Sequence, residues 1–139
     1  MKCLFLIVFL LTAVASCKGT GSDSSDSSSV TAFTVTSANA PTSYTINGTA
    51  NPTLTLQIGK TYTFNVNVPG DPFYIMTTQG TNIANAYSTG VTGNGSASGA
   101  ITFTVSSSAP STLFYDSSAH SGMTGTINIT QPSGNGGGW

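Results

Sequence analysis

Two carboxylates, one imidazole and one nearby thioether in the body of this chain could bind a metal or transfer protons. The only histidine, His120, precedes Met123 by three positions and follows Asp116 by four. Asp71 is the only other acidic residue between residue 30 and residue 131. A carboxylate, an imidazole and a thioether can together hold Cu(II) or Zn(II), although weakly. The same residues also allow a structural interpretation, in which Asp71 belongs to a turn, His120 bonds backbone in a loop and Met123 fills the core.

Catalysis on a substrate is not predicted from this set of residues. The chain has four acidic residues, all aspartates, and three basic residues, all lysines. Carboxylate pairs and proton relays are therefore hard to build, and neither Ser118 nor Ser121 beside the histidine has an evident base held by a third group. We predict that the protein is not an enzyme. The scarcity of basic groups also predicts that it does not bind nucleic acid.

Apolar and polar residues alternate along most of the chain, which is typical of strands with one buried face. The clearest runs are residues 54–58, 62–68, 101–105 and 127–129, and shorter candidates are 33–35, 44–46, 73–75 and 113–115. Turn pairs such as Asn47-Gly48 and Pro69-Gly70 separate these runs. The pattern predicts an all-β fold, a Greek-key β-sandwich of about seven to nine short strands.

Three stretches in this order resemble the cupredoxins, the blue-copper β-sandwiches. They are residues 62–75, 100–110 and 113–129, and the likeness extends over nearly all of residues 30–131. In that family a segment similar to Gly-His-Pro-Phe-Tyr-Ile gives the first copper ligand, and a Cys-x-x-His-x-x-Met loop gives the other three. This chain has Gly-Asp-Pro-Phe-Tyr-Ile at 70–75 and Ser-Ser-Ala-His-Ser-Gly-Met at 117–123.

The resemblance implies a copper site in which two of four ligand positions are replaced. His120 and Met123 match by spacing, whereas the thiolate position falls on Ser117 and the first histidine position falls on Asp71. The thiolate is the principal donor of a blue-copper site, and a serine hydroxyl stays protonated near neutral pH. We therefore expect no cofactor and no electron transfer by that mechanism, with low-affinity Cu or Zn binding as the alternative.

The first segment resembles the signal peptide of bacterial lipoproteins. A lysine precedes an apolar run at 4–11 that is too short to span a bilayer, and Val14-Ala15-Ser16-Cys17 is similar to a lipobox. The resemblance implies cleavage after Ser16 and several acyl chains on Cys17, enough for stable anchoring in a membrane. The mature chain would then contain no disulfide. We predict a lipid-anchored protein of the bacterial cell envelope, at the outer membrane or the cell surface.

Composition divides the chain into four segments. They are the signal peptide (1–16), the acylated cysteine with a Ser/Asp-rich tether (17–29), the sandwich (30–131) and a Gly-rich tail (132–139). The tether and the tail have almost nothing apolar to bury, so we predict that both are flexible.

Three functions remain open from the sequence. The first is a binding or structural module that has lost type 1 copper and serves an unknown protein or glycan partner. The second is a copper- or metal-binding protein with a remodelled, non-blue site. The third is an immunoglobulin-like adhesion sandwich, for which the cupredoxin resemblance is accidental. The third alternative predicts that the loops of Asp71 and His120 lie at opposite ends of the sandwich.

Overall fold

The computed structural model of the protein describes residues 30–133. The predictions for residues 1–29, Cys17 among them, and for residues 134–139 lie outside this range. Ten strands run in chain order as β1 (Ala32–Asn39), β2 (Ser43–Ile46), β3 (Thr49–Ala50), β4 (Leu54–Gln57), β5 (Thr61–Asn67), β6 (Phe73–Met76), β7 (Val91–Thr92), β8 (Ser98–Thr104), β9 (Thr112–Ser117) and β10 (Thr124–Thr130). One short 3-10 helix, Ile83–Asn85, lies between β6 and β7. Over residues 30–133 we find no helix with the length and hydropathy to cross a membrane.

The strands form two mixed sheets. The first sheet has the order β3-β2-β1-β5-β8-β7 and the second has the order β4-β10-β9-β6. The pairs β1–β5 and β4–β10 are parallel, and the other named pairs are antiparallel. The prediction of an all-β sandwich is confirmed. Eight strands have four or more residues, and the two remaining strands, β3 and β7, have two residues each and leave too short a pattern to detect.

The core consists of the apolar positions that the alternation predicts. In β5 the side chains of Tyr62, Phe64 and Val66 are buried, while the polar residues between them are not. Phe73 of β6 packs against three aromatic rings, with centroid distances of 5.1 Å to Tyr44, 5.5 Å to Phe64 and 5.4 Å to Tyr115. Aromatic packing therefore fixes the start of β6.

Strand pairing brings the two segments of the predicted site together. In the β6–β9 ladder, Phe73 stands directly opposite Ser117. The turn before β6 closes when the Asp71 amide donates to the Val68 carbonyl at 2.9 Å. The Tyr44 hydroxyl donates towards the carbonyls of Asp71 and Pro72 at 2.7 and 2.9 Å. The backbone of Asp71 is thus fixed next to the end of β9.

Candidate functional site

Asp71 and His120 are in direct contact at one end of the sandwich. The Nδ1 atom of His120 donates a hydrogen bond to Oδ1 of Asp71. The Asp71 side chain is 5% exposed, whereas the His120 side chain is 45% exposed. A buried carboxylate therefore orients a half-exposed imidazole, and the Nε2 atom of that ring has no hydrogen-bond partner among residues 30–133.

The hydroxyl of Ser117, the residue at the thiolate position, has a structural role. The residue is fully buried, and its Oγ accepts hydrogen bonds from the backbone amides of Ala119 at 3.0 Å and His120 at 3.2 Å. The Tyr44 hydroxyl is a further hydrogen-bonding neighbour of this side chain. These contacts fold the chain back after β9, so the hydroxyl shapes the loop that carries the histidine.

Met123 lies in the hydrophobic core with no exposed surface. Its amide donates to the His120 carbonyl at 3.1 Å, and its carbonyl accepts from the Ser117 amide at 3.0 Å. The loop from Ser117 to Met123 is therefore closed by backbone bonds at both ends. Of the four positions predicted from the sequence, Asp71, Ser117 and His120 are joined by hydrogen bonds, and Met123 is joined to the loop through its backbone.

The residues present do not fit a blue-copper centre. Such a centre requires a thiolate and two imidazoles, and this site offers one hydroxyl, one carboxylate and one imidazole. Oδ1 of Asp71 already engages Nδ1 of His120, and the backbone amides of the loop engage the Ser117 hydroxyl. Among residues 30–133 no three His, Cys, Asp or Glu side chains form a group able to hold a metal ion.

Asp116 is a second unusual group, and sequence reasoning did not predict its environment. It is fully buried, and neither carboxylate oxygen has a hydrogen-bond partner with good geometry. Its partners in the ladders are Tyr74 of β6 and Thr124 of β10. Burial raises the pKa of the Asp116 carboxyl, and the nearby Thr124 hydroxyl and Gly80 backbone only partly oppose this effect. The one sequence signal was an acidic residue directly after the apolar run Leu113-Phe114-Tyr115.

The burial of Asp116 predicts that the stability of the protein depends on pH. The pKa of Asp116 in the folded state lies above its ordinary value of 3.8, so the folded state binds this proton more tightly than the unfolded state does. The stability contributed by Asp116 is therefore complete below that value and is lost as pH rises through the folded-state pKa. We therefore expect the free energy of unfolding to fall over this interval.

The measurement for Asp116 is urea denaturation at a series of pH values, on the parent protein and on Asp116→Asn. The asparagine variant should lack the part of the pH dependence that comes from this carboxyl. The other ionisable groups are the same in both proteins, so the difference between the two pH profiles isolates Asp116. Parallel profiles would contradict the prediction.

Comparison with known proteins finds similarity in structure only. No family model and no curated protein matches the sequence. The copper protein rusticyanin matches with 18% identity and a TM-score of 0.49, covering 70% of this chain and 76% of that chain. Rusticyanin from Thiobacillus ferrooxidans matches with 20% identity and a TM-score of 0.48, covering 70% and 75%. A reduced amicyanin variant matches with 19% identity and a TM-score of 0.43, covering 73% and 84%. The likeness transfers no metal site and no function to this chain.

The contact between Asp71 and His120 distinguishes the cupredoxin-like sandwich from the immunoglobulin-like sandwich, which were both open from the sequence. An accidental cupredoxin resemblance predicts that their loops lie at opposite ends, but the two side chains share a hydrogen bond. The contact is the one that the cupredoxin resemblance of the sequence implies for these two loops. The immunoglobulin-like interpretation does not account for this arrangement.

Proposed function

We propose that this protein is an exported, lipid-anchored protein of the cell envelope whose cupredoxin-like domain no longer holds type 1 copper. In this proposal the domain serves as a binding or structural module for a protein or glycan partner, and it catalyses no reaction on a substrate. The observation that carries the proposal is the hydrogen bond between Asp71 and His120. The one imidazole of the former copper position is engaged by the carboxylate that stands where a second imidazole would be needed.

The chemistry of the remaining donors supports the loss of type 1 copper. A metal at this end of the domain would have to displace Asp71 from Nδ1 of His120 and would gain only a protonated hydroxyl at Ser117 in place of a thiolate. Removing that hydroxyl from its two backbone amides would also leave two part-buried donors without this partner, which costs free energy. The protein's own hydrogen bonds therefore compete with metal coordination.

The lipid anchor is supported by the first 17 residues of the sequence. A short apolar run after a positive start, followed by Ala15-Ser16-Cys17, has the order of a lipoprotein signal. Acylation of Cys17 would place the sandwich at a membrane surface on a tether of 12 residues, 18–29, rich in serine and aspartate. Such a tether behaves as a flexible chain, which would let the module reach partners near the membrane.

A second candidate function is low-affinity binding of Cu(II) or Zn(II) at a non-blue site. The observation in its favour is that a carboxylate and an imidazole, two ordinary ligand types, already lie together at the end of the sandwich. This candidate requires Asp71 and His120 as ligands, with Met123 as a weaker third donor. Such a protein would buffer metal rather than transfer electrons.

Calorimetric titration of the purified full-length protein with Cu(II), in detergent, tests both candidates. We expect no binding tighter than about 1 μM, because the two donors of the site are bonded to each other. The matched variants are His120→Ala, which removes the imidazole, and Ser121→Ala, which alters an exposed neighbour without removing a ligand.

The three proteins give distinct outcomes. Binding by the parent and by Ser121→Ala that disappears in His120→Ala would establish the non-blue site instead of the module without metal. Binding that is equal in all three proteins would place copper elsewhere and would exclude the second candidate. An intense visible absorption band on the copper-loaded parent would overturn the loss of type 1 copper.

A further inference from the structure

On the outer face of the second sheet, a side-chain carboxamide and a side-chain hydroxyl form a hydrogen bond. Nε2 of Gln79 donates to Oγ1 of Thr124 at 3.1 Å, across 45 residues of sequence. Gln79 lies in the segment that follows β6, and Thr124 is the first residue of β10. A carboxamide and a hydroxyl are thereby held against each other at the point where this segment crosses the sheet.

The buried carboxylate of Asp116 lies beside the same hydroxyl. Asp116 and Thr124 are direct partners in the β9–β10 ladder, and side chains in this relation lie about 4.5–5.5 Å apart at Cβ. Both Asp116 oxygens are buried without a well-formed hydrogen bond, and the Thr124 hydroxyl is near enough to lower the pKa of this carboxyl. A buried carboxylate with so few partners is costly and rare in native structures.

From this arrangement we propose that Thr124 and Gln79 become joined by an intramolecular ester, with Asp116 as the acid–base group. Asp116 accepts the proton of the Thr124 hydroxyl while Oγ1 attacks Cδ of Gln79. The tetrahedral intermediate then expels the amide nitrogen, which takes the proton from Asp116 and leaves as ammonia. One C–O bond forms, one C–N bond breaks, and Asp116 returns to its starting state without any oxidant or reductant.

The contact places the reacting groups next to each other. Nε2 of Gln79 lies 3.1 Å from Oγ1, so the exposed carboxamide has to turn about its own side-chain bonds to bring Cδ to the distance of about 3–3.5 Å at which reacting atoms lie. Burial raises the pKa of the Asp116 carboxyl, which makes it a better proton acceptor than an exposed aspartate. Gln79 is exposed, so ammonia can leave, while the Asp116 side of the contact excludes water.

The cross-link has a clear structural consequence for a domain without disulfides. Residues 18–139 contain no cysteine, so stability comes from packing alone unless another covalent bond forms. An ester between Gln79 and Thr124 would close a loop of 45 residues and would hold the segment after β6 against β10. Closing a loop of this kind constrains the unfolded chain, as a disulfide does.

Mass spectrometry of the purified full-length protein tests the proposal. The parent is expected to weigh one ammonia less than its cleaved and acylated chain requires, and Thr124→Val, processed identically, is expected to show the full mass of its own cleaved and acylated chain. Loss of ammonia at Asn-Gly pairs would appear equally in both proteins and is thereby excluded. Peptic digestion of the parent should release one species that contains both the Gln79 and the Thr124 peptides, and hydroxylamine should separate them.

Two further variants keep the result decisive if Thr124→Val does not fold. Thr124→Ser retains a hydroxyl and should still lose ammonia. Asp116→Asn should form the cross-link about 10²- to 10⁴-fold more slowly, the usual contribution of a general base. A parent protein with the full mass, or an ammonia loss that persists in Thr124→Val, would overturn the cross-link. Equal rates in Asp116→Asn and the parent would overturn the role of Asp116.

Discussion

Replacing Phe73 with alanine is expected to lower the free energy of unfolding by about 3–5 kcal/mol. The Phe73 ring is fully buried and contacts the rings of Tyr44, Phe64 and Tyr115. Its removal therefore leaves a cavity where both sheets meet, and the neighbouring rings cannot all move to fill it. Domains of this size are stable by about 5–15 kcal/mol, so the loss is a large fraction of the total. Urea denaturation of the parent and the variant measures it.

Phe114 provides the matched control for Phe73. It is also a phenylalanine in the second sheet, but it is only half-buried. Phe114→Ala should therefore cost about 1 kcal/mol, close to the average for point substitutions. Equal losses in the two variants would show that the aromatic cluster around Phe73 does not stabilise the domain more than the outer face does.

Local sequence patterns were sufficient to predict the long strands of this fold. The runs at 62–68 and 101–105 alternate strictly, because one face of β5 and β8 is buried against the second sheet and the other is not. The strands β3 and β7 were not predicted, since two residues cannot show a period. Parallel pairing of β1 with β5 was likewise invisible, because it depends on the order of strands in the sheet rather than on local pattern.

The site was predictable in position but not in its contacts. Family-like spacing placed Asp71 and His120 at one end of the sandwich, and the structure brings them into contact. The sequence did not show that the carboxylate would engage the imidazole, because that bond depends on how the Tyr44 hydroxyl holds the backbone of Asp71. The sequence likewise did not show that Asp116 would be buried, because this depends on neighbours that are distant along the chain, such as the backbone of Gly80.

Restoring both missing ligands is expected to produce a type 1 copper centre. In the double variant Asp71→His/Ser117→Cys, the first substitution removes the carboxylate that engages Nδ1 of His120 and adds the second imidazole. The second substitution adds the thiolate, at a position that is fully buried next to the histidine loop. Two imidazoles and one thiolate are the strong donors of a blue-copper site, and Met123 stands at the position of the weak axial donor. Addition of Cu(II) should therefore produce an intense visible absorption band at one copper per chain.

The single variants, and a double variant with the cysteine at the next position, test what produces that band. The band could require the correct position of the thiolate, or only the presence of the ligand types. Asp71→His alone lacks the thiolate, and Ser117→Cys alone leaves Asp71 bonded to His120, so neither should develop the colour. The double variant Asp71→His/Ser118→Cys has the same ligand types, with the thiol one residue further along the chain. Ser117 stands opposite Phe73 in the β6–β9 ladder, whereas Ser118 lies beyond the end of β9. Equal colour in the Ser117 and Ser118 double variants would contradict the assignment of Ser117 to the thiolate position. In that case the position of the thiol in the β6–β9 ladder would not determine whether copper binds.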